Sequence, residues 1–191
     1  MEELKRAVLE KGIVVSNDIL KVDMFLNHRI DTKLALAMGN YIADYFRNKR
    51  PNIILTIEAS GIAIAITTAI ALGNIPVVFA KKAAASNQGT DRLHANVHSF
   101  TKNKDYAVSV ERDYLPNGSR VLIVDDFLAN GEAMRGLIKI TEYANCTLCG
   151  AAVAIEKAFQ SGGRELRNQG VDLLSLCKIK SIENGKIVLE D

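Results

Sequence analysis

The sequence lacks the features that mark membrane-spanning, secreted and nucleic-acid-binding proteins. Its longest apolar run, around residues 62–72, is interrupted by Thr67 and Thr68 and is shorter than the ~18 residues that span a bilayer. Its 24 basic and 22 acidic residues leave a net charge of only +2, which gives no sign of a nucleic-acid or polybasic membrane surface. Its three cysteines, an odd number, fit a reducing compartment. The N-terminal segment MEELKRAVLEKG is charged and amphipathic, unlike a signal peptide. We therefore expect a cytoplasmic protein with no nucleic-acid or membrane partner.

Linkers and nucleotide-binding fingerprints are also absent. No internal repeat and no Pro/Gly-rich linker interrupts the 191 residues, so we predict one domain over residues 1–191. Neither GxxxxGK(S/T) nor GxGxxG occurs, which argues against NTPase and dinucleotide-binding functions. What remains, with 48% hydrophobic and 24% charged residues, is the composition of a globular protein.

Short apolar strands alternate with helical segments along most of the chain. The patterns predict helices over residues 2–11, 31–50, 60–72 and 132–143, and strands over 52–57, 76–80, 119–124 and 149–155. Strands that are apolar on both faces and separated by helices are typical of a parallel sheet covered on two sides. The predicted fold class is therefore α/β, with a three-layer parallel sheet core.

Two segments depart from this alternation. Residues 81–105 are polar, with Ser86–Thr90 at their centre, and are too long for an ordinary connection, so we predict a flexible lid there. Near the C-terminus, Asn184-Gly185 lies between two short apolar runs, which is a strong hairpin signal. We expect this hairpin (about 178–191) and the N-terminal segment (about 13–30) to form a small hood on the core.

The most informative segment is VLIVDDFLANGEA, residues 121–133. Asp125 and Asp126 follow a buried strand, and ligands of open α/β sheets bind at the carboxyl ends of strands. A short loop with Gly131 then leads into a helix, whose free N–H groups and dipole favour an anion. Carboxylates that accept hydrogen bonds from a sugar diol, beside a phosphate site, predict a phosphorylated ribose. The alternative is a capped turn in which the aspartates only end the strand.

This segment resembles the signature of type I phosphoribosyltransferases, which use phosphoribosyl pyrophosphate (PRPP). Three further segments are similar to the bacterial members that act on xanthine: LKVDMFLNHRID (20–31), IEASGIA (57–63) and IEKAFQ (155–160). The resemblance covers nearly the whole chain. It implies transfer of the 5-phosphoribosyl group from PRPP to N9 of xanthine, giving XMP and pyrophosphate in purine salvage. It also implies a homodimer, and Mg²⁺ held mainly by PRPP and water with no protein metal site.

The resemblance also implies a role for individual residues. Asp125 and Asp126 would hold the ribose hydroxyls. The 5′-phosphate would be wrapped by Ala129, Asn130, Gly131, Glu132 and Ala133. The pyrophosphate would lie on Ala59, Ser60 and Gly61, with Lys82 or Lys81 reaching its oxygens. The purine would be bound by Lys157 at the 6-oxo group, by Leu20 and Asn27 from the hood, and by Phe159 stacked on the ring.

The segment departs from the broad family pattern in its phosphate loop. Ala129, Asn130 and Ala133 stand where relatives usually have threonines, so hydroxyl contacts to phosphate are fewer. Ala129 also stands where some relatives place an aspartate near purine N7. We therefore expect no protein general base, with the purine reacting as an anion or losing its proton to solvent.

Two other functions are compatible with the same residues. The loop also resembles that of adenine-type transferases, and the same fold serves non-catalytic purine or PRPP sensors.

Cys146 and Cys149 have CxxC spacing but lie between a helix and a strand, and Cys177 is alone, so we expect ordinary thiols. His94 and His98 lie within the predicted lid, and we expect no metal there.

Overall fold

The centre of the molecule is a mixed β-sheet in the computed structural model, which describes residues 1–83, 92–99 and 104–190. Its strands are β3 (Ile53–Ile57), β4 (Val77–Ala83), β5 (Arg92–Ser99), β6 (Lys104–Glu111), β7 (Arg120–Leu128), β8 (Thr147–Lys157), β9 (Leu173–Glu183) and β10 (Lys186–Leu189). They lie in the order β10-β9-β8-β7-β3-β4-β6-β5. The pairs from β9 to β4 are parallel, and β10, β6 and β5 extend the sheet in antiparallel fashion.

Helices cover both faces of this sheet: α1 (Glu2–Lys11), α2 (Thr32–Phe46), α3 (Ile62–Ala71), α4 (Glu132–Tyr143) and α5 (Gly162–Asn168). Buried side chains of α1, α2 and α3 form one hydrophobic cluster with the sheet, and those of α4 and α5 form a second. The predicted three-layer α/β core is therefore confirmed. In the described part of the chain, every helix is too short or too polar to cross a membrane.

Local sequence explains where the main elements begin. The Asp31 carboxylate accepts the Leu34 N–H at 3.1 Å and caps α2. All five residues of β3 are buried, since helices pack on both faces of the sheet there. The acidic pair lies within strand β7, which continues to Leu128, whereas the sequence had predicted that the strand ends at residue 124.

The prediction of one long loop over residues 81–105 is wrong for the described part of that segment. Strand β4 continues to Ala83, and β5 and β6 form an antiparallel hairpin at the edge of the sheet. Leu93, Ala95 and Val97 are buried against the α4 side, while Arg92, His94 and Asn96 face solvent. This period-two alternation was present in the sequence and identifies the strand. The predicted lid centre, residues 86–90, lies outside the described residues.

The N-terminal segment and the C-terminal hairpin pack together. Strands β1 (Ile13–Val14) and β2 (Leu20–Lys21) form a separate two-stranded sheet, and a π-helical turn follows over Asp23–Asn27. Their apolar side chains join the same cluster as β9 and β10. The hairpin turn is confirmed, with positive φ at Asn184 (52°) and Gly185 (75°). The sequence missed α5 and the first half of β9, which belongs to the main sheet.

Candidate active site

The residues predicted to bind PRPP and purine meet at one edge of the sheet. Parallel register aligns Ile57 of β3 with Ala80 of β4, and Asp125 of β7 with Val153 of β8. The carboxyl ends of these strands therefore lie side by side, and the segments that follow them share one cleft edge. The edge carries the loop 58–61, the lysines at 81 and 82, the acidic pair, and Lys157.

The loop between β3 and α3 lies directly against the acidic pair. A Cβ atom added to Gly61 would come within 2.2 Å of Thr56 Oγ1 and 2.9 Å of Asp125 Oδ1. Only glycine fits at position 61 without displacing these groups. The loop contains a cis peptide bond between Glu58 and Ala59. The loop places Ala59, Ser60 and Gly61 at the N-terminus of α3, where free N–H groups can face an anion.

Lys82 is the lysine that the structure connects to this edge. Its backbone N–H donates to Glu58 Oε1 at 2.9 Å, and its positive charge acts on the Asp125 carboxylate. Successive side chains of a strand point to opposite faces, so Lys81 points to the other face of β4. Among the two lysines, the contacts therefore favour the predicted Lys82.

Asp125 is the buried member of the acidic pair. It is 4% exposed, and its Oδ1 accepts the N–H of Asp126 at 2.9 Å. Burial, together with the negative charge of Asp126, raises the pKa of Asp125 well above its usual range, and the Lys82 charge opposes this only in part. Asp126 is half-buried and faces the cleft more openly. The pair thus combines one buried carboxylate with one more accessible carboxylate.

The predicted phosphate loop turns tightly between β7 and α4. Gly131 adopts a left-handed conformation, with φ of 85°, and is the residue just before the helix. A Cβ on Gly162, at the start of α5, would lie 2.4 Å from Ala129 O and 2.6 Å from Gly131 N. The absence of side chains at positions 131 and 162 lets α5 support the loop from behind. Residues 129–133 therefore present their backbone at a helix N-terminus, as the predicted role requires.

Arg135 holds this loop and was missed in the sequence. Its Nη2 donates to Asn130 O at 2.6 Å and to Glu132 Oε1 at 2.5 Å. Its Nη1 donates to Glu165 Oε2 of α5 at 3.2 Å. An arginine one turn into a helix carries no sequence signal of such a role, because Glu165 is brought close only by folding.

The predicted purine residues lie at the end of β8 and in the N-terminal segment. Lys157 Nζ donates to Asp18 O at 2.5 Å and lies 5.8 Å from the centre of the Phe127 ring. Burial lowers the pKa of Lys157, and the charge of Asp18 opposes this effect. Leu20 is buried in β2, Asn27 is exposed at the end of the π-helical turn, and Phe159 is 38% exposed on the turn after β8. Phe127, part of the acidic segment itself, is the aromatic ring that the structure places beside Lys157.

The other residues that the sequence singled out are three cysteines and two histidines. Cys146, Cys149 and Cys177 are free thiols, and burial raises the pKa of each. His94 is exposed on β5, and the side chain of His98 lies outside the described residues. Over residues 1–83, 92–99 and 104–190, no group of three or more His, Cys, Asp or Glu side chains is placed to hold a metal ion.

Comparison with known proteins identifies relatives over the whole chain. The model of the phosphoribosyl transferase domain matches residues 23–181. The chain is 48% identical over 191 residues to the xanthine phosphoribosyltransferase of Clostridium novyi, covering 100% of both chains. It is 47% identical over 189 residues to that of Bifidobacterium adolescentis, covering 98% of each. Its fold is similar to the crystal structure of adenine phosphoribosyltransferase from Thermoanaerobacter pseudethanolicus, with a TM-score of 0.75, 22% identity, and coverage of 93% of this chain and 98% of that one.

Proposed function

The chain belongs to the phosphoribosyl transferase family, and from this membership we propose that it transfers the 5-phosphoribosyl group of PRPP to N9 of xanthine. The products are XMP and pyrophosphate. One observation carries the proposal: the Asp125–Asp126 pair, the glycine-containing loop at the start of α4, and Lys157 on the neighbouring strand end share one edge of the sheet. The relatives that match the full chain are named for xanthine, which supports the choice of base.

The proposed mechanism depends on positioning, with no covalent nucleophile on the protein. Asp126 and Asp125 accept hydrogen bonds from the ribose hydroxyls, and the N–H groups of residues 129–133 hold the 5′-phosphate. The loop 59–61 and Lys82 bind the pyrophosphate as negative charge develops on it. As the C1′–oxygen bond breaks, the ribosyl centre gains oxocarbenium character, and the purine nitrogen lies ready to attack it. Positioning of this kind supplies ~7–11 kcal/mol.

The hydrogen-bond donors of Lys157 and Asn27 explain the choice of purine base in this proposal. The Lys157 ammonium donates to a 6-oxo group and has no acceptor for the 6-amino group of adenine. The side-chain amide of Asn27 donates to the 2-oxo group of xanthine, where hypoxanthine offers no oxygen. Each buried mismatch costs ~1–3 kcal/mol, so two such contacts give a large preference. Phe159 covers the ring in this proposal, together with Phe127 from the neighbouring strand β7.

When bound with PRPP, Mg²⁺ would be held by substrate oxygens and water and would neutralise charge on the leaving pyrophosphate. The acidic pair is consistent with this, because Asp125 is buried against Gly61 and its Oδ1 already accepts the N–H of Asp126.

We further propose that the protein is a homodimer formed through α3. This helix carries no charged residue, and Ile66 and Ile70 on its outer face are 46% and 54% exposed. Phe79, on the neighbouring strand β4, is 42% exposed. A helix without charged residues that exposes large apolar side chains is normally covered by a partner, so we assign this face to contact with a second copy.

Substitution of Ile66 and Ile70 by Lys should give a monomer in light scattering. Leu9→Lys on α1, also at an exposed position, is the matched control. A dimer that persists in the double variant removes α3 from the interface.

One experiment tests the activity directly. The protein is incubated with PRPP, Mg²⁺ and, separately, xanthine, guanine, hypoxanthine and adenine, and nucleotide and pyrophosphate are measured. We expect the highest kcat/KM with xanthine. Preference for adenine would replace the proposal with the adenine-type activity. No nucleotide with any base, but measurable binding of purine or PRPP, would identify a sensor.

A further inference from the structure

Arg135 occupies a position between the proposed 5′-phosphate loop and helix α5. We infer that Arg135 is a positioning residue for the 5′-phosphate of PRPP, acting by shaping the loop and by neutralising Glu132 and Glu165 beside it. This inference rests on the proposed function, since it assigns the phosphate to residues 129–133.

The contacts of Arg135 join the loop at the start of α4 to helix α5. The guanidinium reaches the Asn130 carbonyl at 2.6 Å, the Glu132 carboxylate at 2.5 Å and the Glu165 carboxylate at 3.2 Å. Its side chain is 24% exposed, and Nη1 lies 3.0 Å from where a Cβ of Gly131 would be. A simple surface pair between neighbouring turns of a helix makes one contact and stays solvated. Three acceptors, two of them at the loop and the start of α4 and one on α5, indicate that Arg135 holds α5 against the loop.

The bond to Asn130 fixes the direction of a loop peptide. In a trans peptide, the carbonyl and the following N–H point in opposite directions. Because the Asn130 carbonyl is held toward Arg135, the N–H of Gly131 points away from the guanidinium. The loop can bind an anion only when its N–H groups, and not its carbonyls, face the ligand. Arg135 therefore selects the peptide orientation that phosphate binding needs.

The positive charge of Arg135 also offsets negative charge beside this loop. Glu132 is the first residue of α4, so a carboxylate lies at the helix N-terminus where the phosphate dianion is proposed to bind. Glu165, on α5, adds a second carboxylate on the same side. Like charges so close to a dianion weaken its binding, and one guanidinium that pairs with both reduces their repulsion. Removing Arg135 would leave both carboxylates beside the phosphate.

The test separates the two phosphate sites of PRPP. Binding of ribose 5-phosphate and of inorganic pyrophosphate is measured by calorimetry for the wild type, Arg135→Gln, Arg135→Lys, Glu132→Gln and the Arg135→Gln/Glu132→Gln double variant. We expect Arg135→Gln to weaken ribose 5-phosphate about 10- to 100-fold, the cost of removing a charged hydrogen-bond partner. Pyrophosphate, bound at residues 59–61, should change by less than about twofold. Arg164→Gln, at an exposed arginine of α5, is the matched control and should change neither.

The double variant tests the electrostatic part. Glu132→Gln should restore at least about a third of the lost ribose 5-phosphate affinity on the logarithmic scale, and Arg135→Lys, which keeps the charge, should lose less than Arg135→Gln. Steady-state kinetics should show the same division, with KM for PRPP raised and KM for xanthine little changed. Equal losses for both phosphates, or no change in ribose 5-phosphate binding in a folded Arg135→Gln protein, would overturn the inference. A wild type that binds neither ligand and makes no nucleotide would instead contradict the proposed function.

Discussion

Glu156 and Arg167 form a bidentate ion pair in which Arg167 Nη1 and Nη2 lie 2.8 and 2.7 Å from the two carboxylate oxygens of Glu156. Glu156 is only 3% exposed, and the Ser175 hydroxyl also donates to it. A Cβ on Gly163 would collide with this carboxylate, so the glycine is needed for α5 to come this close. The pair joins α5 to β8 at the residue that precedes Lys157. The same helix packs against the predicted phosphate loop, so the ion pair links this loop to the strand that carries Lys157.

Arg167→Met should lower the free energy of unfolding by about 3–5 kcal/mol, because it leaves a buried carboxylate without its partner. Urea unfolding followed by circular dichroism measures this change. The Glu156→Leu/Arg167→Met double variant should recover part of the loss, since the unpaired charge is gone. Arg164→Met, on the exposed side of α5, is the control. A double variant no more stable than Arg167→Met would show that the buried charge is not the main cost.

The same pair gives the protein a sensitivity to acid. Burial alone raises the pKa of Glu156, but hydrogen bonds from Arg167 and Ser175 and the arginine's charge outweigh it and lower the pKa below its ordinary value. The resulting stabilisation is fully present above the ordinary glutamate pKa and is lost as the pH falls through the lowered one. The gap in unfolding free energy between wild type and the double variant should therefore shrink in acid.

Lys157→Met should lower kcat/KM for xanthine by at least about 100-fold, because the apolar stem is kept while the donor to the 6-oxo group is lost. KM for PRPP should stay within about threefold of the wild type, since the phosphate loops are untouched. Lys180→Met, at an exposed lysine of β9, should behave as the wild type. Near-normal kcat/KM with xanthine would remove Lys157 from the base site.

Asp125→Asn should raise Tm by about 3–6 °C near about pH 8 while weakening PRPP use. The pKa of Asp125 is raised by burial and by Asp126, so the folded state holds the ionised form at a cost. That cost grows as the pH rises from the ordinary aspartate pKa through the raised one, and the amide removes it. The gain in Tm should therefore vanish toward about pH 4.

Asp126→Asn is the matched comparison in thermal unfolding and kinetics. Its side chain is more open to solvent, so Tm should change less, whereas Asp126→Ala should clearly raise KM for PRPP or lower kcat. A fall in Tm with Asp125→Asn would contradict the interpretation of Asp125 as a buried carboxylate held at a cost.

Cys177 should resist thiol reagents in the folded protein. It is 1% exposed, and burial raises its pKa to about 11, so almost no thiolate exists near neutral pH. Half-exposed Cys146 should react first with a colorimetric disulfide reagent, and all three thiols should react in urea. Cys177→Ala should keep the activity. Rapid labelling of Cys177 without urea would show that β9 opens locally.

Much of the fold followed from patterns that are local in the chain. Periodic apolar positions predicted α1 and α4 with the ends that the structure gives them, and Asn184-Gly185 predicted the hairpin turn. The strands β5 and β6 were missed because a polar face and a long connection masked their alternation. The short helix α5 was missed because its two initial glycines disfavour a helix, and they are tolerated only through their contacts with the phosphate loop and Glu156.

The sequence by itself determined the chemistry at each strand end: a carboxylate pair, a glycine loop before a helix, a lysine after a buried strand. Each of these segments could be recognised because it depends on residues that are close in the sequence. Only the tertiary structure decided which groups meet across long separations. Arg135 meets Glu165, Glu156 meets Arg167 behind the loop, and Lys157 meets Phe127 and Asp18. Hydrogen bonds and ion pairs act over a few ångströms, and parallel pairing and packing of α5, which no local pattern encodes, bring these partners within that range.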